Sequence, residues 1–156
     1  MFVLQRDVTA AKKVIATLLA TAMLFWAYGV HSFAKAANLT NVSVTITDSA
    51  PGAASNHTID FITPSGMNNG ETVTIQYPGT FTGIGDIVLA DVEVQLDETD
   101  DTADWSLTSV TANTITLTID TGTVASGTQI TVIVGEEAAG GGGTNRIVNP
   151  ASPAGG

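Results

Sequence analysis

From residue 39 onward the chain is written in short alternating runs. Leu39 to Thr47 sets Val42, Val44 and Ile46 on one side and Ser43, Thr45 and Thr47 on the other. A period of two over this length predicts a half-buried strand with Val42, Val44 and Ile46 inward. His57 to Thr63 repeats the pattern with His57, Ile59 and Phe61, and Glu71 to Tyr77 repeats it with Val73, Ile75 and Tyr77. Trp105 and Leu107 open a further run. Ile115, Leu117 and Ile119 form one of the most regular, and Ile130, Val132 and Val134 make the seventh strand. Between Phe81 and Leu96 the parity changes, with Ile87 and Leu89 on one side and Val92, Val94 and Leu96 on the other. A one-residue slip turns every side chain to the opposite face, so a bulge, a bend or a short helical turn is expected at Ala90-Asp91.

Breakers separate these runs: Asp48-Ser49-Ala50-Pro51-Gly52, Pro64 to Gly70, Pro78-Gly79 and Gly122 to Thr128. Within the second of them Asn69-Gly70 is suited to positive φ. No window sustains a 3.6-residue period. Short strands with turn signals about every 8–12 residues indicate an all-β, antiparallel sandwich rather than a βαβ fold.

The first 36 residues read differently. Lys12 and Lys13 precede Val14 to Val30, seventeen residues without a charge, and Ala34-Lys35-Ala36 supplies small residues at both positions of an A-x-A cleavage site. Basic, apolar and small-residue regions in this order make a secretory signal peptide, with cleavage expected after Ala36. If uncleaved, residues 14–30 reach roughly the lower limit of a bilayer span and act as an N-terminal membrane anchor. A type IV pilin leader also begins with an apolar helix, but it carries a Glu soon after its processing site, and none occurs between Val14 and Ala36. Each reading places the body outside the cytoplasm, secreted or at the cell surface. The expected organisation is 1–36 signal peptide or anchor, 37–137 β-sandwich, and 138–156 Gly-rich linker and C-terminal tail. Within that tail Asn145 to Pro150 allows a short strand.

Charge narrows the function. Of 15 acidic and 5 basic residues, one acid and four bases precede Ala37, so the body carries 14 acids against one base, about −13. Such a surface gains nothing from phosphate neutralisation, which excludes nucleic acid as a partner. Cysteine is absent, so disulfides, thiolate metal sites and cysteine nucleophiles are excluded and packing alone must hold an exported domain.

Several segments together carry a resemblance. They are Asn38-Leu39-Thr40-Asn41-Val42-Ser43, Asp48-Ser49-Ala50-Pro51-Gly52, Ser55-Asn56-His57-Thr58-Ile59, Phe61-Ile62-Thr63-Pro64-Ser65-Gly66 and Gly143-Thr144-Asn145-Arg146-Ile147-Val148-Asn149-Pro150. The chain resembles the Ig-like β-sandwich domains of secreted surface proteins of small-genome candidate-phylum bacteria, over most of Asn38 to Pro150. The resemblance implies an extracellular, non-catalytic, often repeated module. In similar sequences the Asn-Pro turn leads into another strand. This chain stops at Gly156, which raises the expectation of strand completion between subunits, whether from other surface proteins or from copies of itself.

Candidate chemistry is sparse. Asp97, Glu98, Asp100, Asp101 and Asp104 put five carboxylates within eight residues, a composition able to wrap Ca²⁺ with oxygen ligands, as in a Ca²⁺-dependent adhesin. EF-hand spacing is not met, and the plainer reading is a solvated loop whose charges keep it extended. His57 is the only His after the leader, and it shares a strand face with Ile59 and Phe61. No G-x-S-x-G elbow is present and no acid pair stands out, so no catalytic residue is expected. Phe61, Tyr77 and Trp105 read as core, which leaves Phe81 as the one aromatic candidate for an exposed contact, as in sugar binding. Lys is missing after Lys35, so a Lys–Asn isopeptide bond cannot form in the body. The sequons at Asn38, Asn41 and Asn56 matter only in a glycosylating host. The expected function is an exported, acidic structural and interaction module without cofactor. The alternatives are the adhesin and a pilin-like filament subunit anchored by residues 14–30.

Overall fold

Alternation produces the predicted strands. The computed structural model describes residues 38–138 and 142–151, so the expected export segment, residues 1–36, lies outside them. In chain order the strands are β1 (Thr40–Ile46), β2 (Ala54–Ser55), β3 (His57–Ile62), β4 (Met67–Asn68), β5 (Thr72–Gln76), β6 (Val92–Leu96), β7 (Thr99–Asp100), β8 (Trp105–Val110), β9 (Thr114–Ile119), β10 (Thr123–Val124), β11 (Gln129–Val134) and β12 (Ile147–Val148). The longer ones, β1, β3, β5, β6, β8, β9 and β11, are the seven alternating runs. Three single-turn 3₁₀ segments, Ile84–Asp86, Leu89–Asp91 and Thr102–Asp104, lie between strands. Leu89–Asp91 sits at the parity switch and re-aims the chain so that Val92 and Val94 enter β6 facing inward.

All pairings are antiparallel. A five-stranded sheet runs in the order β1-β3-β11-β6-β7 and a three-stranded sheet in the order β5-β9-β8, with two short pairs, β10-β4 and β12-β2. In an immunoglobulin constant-type domain the fifth strand lies between the second and the fourth. Here the seventh long strand, β11, takes that place, with Val132 opposite Ile59 on one side and Val94 on the other.

The inward residues of both sheets join one buried cluster. Ile59, Phe61, Val92, Val94, Ile130, Val132 and Val134 come from the larger sheet, and Trp105, Ile115, Leu117 and Ile119 from the smaller. Burial of side chains this size stabilises by about 1.5–3 kcal/mol each and is the main force holding a cysteine-free chain together. The described strands and buried side chains all belong to one compact unit, Ala37–Gly156. With its own core, this unit meets the description of a domain that folds independently.

Strand β1 departs from the expected burial. Val44 lies opposite the buried Ile59 and therefore shares its face, yet Val42 and Val44 are each 60% exposed and Leu39 is 49% exposed. Six of the seven β1 residues are exposed and only Ile46 is half-buried. The alternation was a correct signal for a strand, but burial depends on whether another layer reaches over it.

The segment after residue 138 also contributes to packing. Ala138 and Ile147 are fully buried, Asn149 is buried, and β12 pairs with β2 through Ile147–Ser55 and Val148–Ala54. Residues 142–150 therefore belong to the body rather than to a tail.

Candidate functional site

The acidic run folds as a hairpin and its exit. Leu96 pairs with Thr99, leaving Asp97 and Glu98 as a two-residue loop with φ of 47° and 67°. Positive φ at both central residues is what a type I′ turn requires, because it matches the twist of the flanking strands. The carboxylates around this turn serve the molecule's own donors. The Gln129 N–H donates to Asp97 Oδ1 at 3.1 Å, the Thr102 N–H to Asp100 Oδ1 at 2.9 Å, and the Trp105 indole N–H to Asp101 Oδ2 at 3.0 Å. The Thr121 hydroxyl donates to Asp104 Oδ1. Hydrogen bonds from the Thr102 side chain and backbone hold Asp100 below the usual carboxylate range. Glu98 projects from the hairpin tip. Four of the five side chains are thus spent on separate donors. Among the described residues no group of three or more His, Asp or Glu is placed to hold a metal ion.

His57 lies at the other end of the same sheet. It opens β3 opposite Val134, whereas Leu96, which leads into the acidic hairpin, lies opposite Ile130. Four residues along β11 is about 13 Å, and β11 itself intervenes laterally, so His57 and the acidic hairpin do not meet. The imidazole is buried, with Nε2 3.1 Å from the Ser55 hydroxyl, and that hydroxyl is 3.2 Å from Asn149 Oδ1. Tyr77 and Phe81 stand edge-on to it, with ring centroids at 5.5 and 5.9 Å. Burial lowers the imidazole pKa and raises that of the Tyr77 phenol. Phe81, expected at the surface, is instead partly buried against the core. The group behaves as a packed aromatic corner that fastens β12 to the body: Asn149 Nδ2 also donates to the Asp48 carbonyl at 2.6 Å and to the Ala50 carbonyl at 3.1 Å.

Sequence reasoning missed the most heavily bonded acid. Asp91 is fully buried at the end of its 3₁₀ turn. Its Oδ1 accepts the Thr144 and Asn145 N–H groups at 2.6 and 3.0 Å. Its Oδ2 accepts the Val88 N–H at 2.9 Å and Asn145 Nδ2 at 2.8 Å. Burial alone would raise its pKa, but these hydrogen bonds outweigh burial and lower it from 3.8 to about 2. The carboxylate latches the segment that returns to pair as β12, and Arg146 adds a half-exposed ion pair with Glu136 at 3.4 Å. Asp91 at a parity switch was a visible signal for a special role, but its partners lie more than fifty residues away.

The clustered polar groups thus tie separate segments of the chain together, while among the described residues β1 is an edge strand with an exposed apolar face. Comparison with protein-family models, curated proteins and solved structures finds no match to this chain.

Proposed function

We propose that the chain is an exported, acidic module of the cell surface or extracellular space that acts by structure and contact, without catalysis or cofactor. In this reading the two sheets face one another as a β-sandwich of immunoglobulin type with β11 exchanged into the place of the fifth strand. The narrower sheet stops short of β1. The observation that carries the reading is the exposure of β1 on both faces, in a body whose buried Asp91, Asn56 and Asn149 are spent on its own chain. An edge strand of this kind is suited to pairing with another chain. The body charge of about −13 favours solubility and repels polyanions. The basic, apolar and A-x-A regions before Ala37 supply the export route.

The test is expression of the full chain with a carboxyl-terminal tag, followed by fractionation, protease treatment of intact cells and intact-mass measurement. The proposal expects a product lacking residues 1–36, or one held at the membrane by residues 14–30, and in either case digested by external protease or released to the medium. An unprocessed, protease-protected cytoplasmic product overturns it.

A further inference from the structure

We propose that two copies of the chain pair through β1 into a closed, two-fold dimer, an inference that rests on the interaction-module reading above. The argument begins with the hydrogen bonds of β1. The Thr47 N–H donates to the Asn56 carbonyl at 3.1 Å, and Ser43 and Thr45 lie opposite Asp60 and Thr58 in the same ladder. In an antiparallel pair the bonded residues alternate. Ser43, Thr45 and Thr47 therefore bond towards β3, and Val44 and Ile46 turn their N–H and C=O groups to the free edge.

That edge has little to prevent pairing. Natural edges are blunted with Lys, Pro, inward charges or bulges. From Leu39 to Thr47 there is no charged residue and no Pro. The single blunting device is a bulge between Thr40 and Ser43, formed with Asn41 at a φ of 52°. The bulge spans Asn41 and Val42, and the regular ladder after it runs from Ser43 to Ile46; within it Val44 is the first residue that bonds outward. Antiparallel pairing about Val44 sets Val44 opposite Val44 of the second copy and Val42 opposite its Ile46. The outward N–H and C=O groups of Val44 then meet those of Val44 in the second copy, and the apolar residues meet apolar residues on one face. This self-complementarity is what an isologous interface requires.

The opposite edge decides the stoichiometry. In the five-stranded sheet β1 and β7 are the two ends, and β7 is a two-residue strand inside the run Asp97, Glu98, Asp100, Asp101 and Asp104. A short edge surrounded by charge resists pairing, so the sheet grows at one side only and closes as a dimer instead of extending as a fibre. The same layout keeps the acidic hairpins of the two bodies far from one another. Ten strands at about 4.8 Å spacing put the two β7 edges roughly 43 Å apart, several times the Debye length of about 8 Å at physiological ionic strength.

The test uses the 37–156 unit, whose sequence contains no Cys. Cα atoms of a hydrogen-bonded antiparallel pair lie about 5.5 Å apart, within disulfide reach. Val44→Cys is therefore expected to cross-link as a dimer under mild oxidation, and Thr99→Cys on β7 to remain uncross-linked. Sedimentation over roughly 1 μM to 1 mM, the range for an interface below standard size, is expected to show a monomer–dimer equilibrium with no larger species. Val44→Lys sets like charges across the two-fold and is expected to weaken the dimer about tenfold or more, with an unchanged melting temperature at dilutions where the parent is monomeric, because residue 44 is already exposed. A monomer throughout the range overturns the proposal, as do an open series of higher oligomers and equal cross-linking from Thr99→Cys. A monomer still exposed on the cell surface leaves the module reading standing, whereas a cytoplasmic product overturns that reading whatever the stoichiometry.

Discussion

Replacing Asp91 by Asn is the sharpest probe of how the carboxyl-terminal segment is held. The substitution is nearly isosteric, but Asp91 accepts four hydrogen bonds and donates none from its side chain. An amide supplies one acceptor and one NH₂, so the NH₂ faces donors and two of the four bonds are lost. Hydrogen bonds to a charged group contribute about 1.5–3 kcal/mol each, and orphaned buried N–H groups add a penalty. With relaxation of the 142–145 segment the expected loss is about 3–5 kcal/mol, a large part of the roughly 5–15 kcal/mol that holds a domain of this size. The pH dependence supplies an independent check. Asp91 has a folded pKa of about 2 against 3.8 unfolded. Its contribution is therefore fully present above about pH 4 and is lost as the pH falls towards 2. The shift corresponds to about 2.5 kcal/mol. Urea unfolding of the 37–156 unit at pH 7, 5, 4 and 3 reads both quantities, provided the m-value is unchanged. The gap between parent and Asp91→Asn is expected to be widest at pH 5–7 and to narrow below pH 4. A variant within about 0.5 kcal/mol of the parent at pH 7 would refute the reasoning, as would a gap that does not change with pH.

Three further outcomes follow from the same geometry. Glu98→Gly is expected to stabilise by about 0.5–1 kcal/mol in thermal unfolding, because Glu98 holds a φ of 67° in a region costly for side chains with a β-carbon. Gly135→Ala is expected to lose about 2–4 kcal/mol in urea titration: at a φ of 132° its β-carbon would overlap Asn56 Oδ1, which accepts the Glu136 N–H at 2.8 Å. Burial lowers the His57 pKa from 6.5, so the stability of its neutral form is present above about pH 6.5 and declines as the pH falls through the folded value. Unfolding at pH 7 and 5 should show this decline in the parent and its absence in His57→Gln.

Strand positions were legible because a period of two is local: seven alternating runs become β1, β3, β5, β6, β8, β9 and β11. The parity switch at Ala90-Asp91 likewise announced the 3₁₀ turn at Leu89–Asp91. What depends on distant chain was not legible. Val42 and Val44 alternate like core residues, yet their exposure is set by how far another layer extends. The insertion of β11 between β3 and β6 rests on pairings across tens of residues, which propensity does not encode. Asn145 and Asn149 look like loop residues in a Gly-rich tail, and only the fold brings them to Asp91, Asp48 and Ser55. For the acidic run, composition allowed either a solvated loop or a cation loop, and the sequence did not show that Asp97, Asp100, Asp101 and Asp104 each accept a hydrogen bond from a different donor.

Residue-resolved amide hydrogen exchange of the 37–156 unit, at low and high protein concentration, tests the central claim that β1 is an open edge completed by contact. The account predicts that Thr45 is protected at both concentrations, while Val44 and Ile46 exchange freely when dilute and become protected when concentrated. Protection of Val44 and Ile46 at the lowest concentration, or free exchange throughout β1 at every concentration, would contradict it.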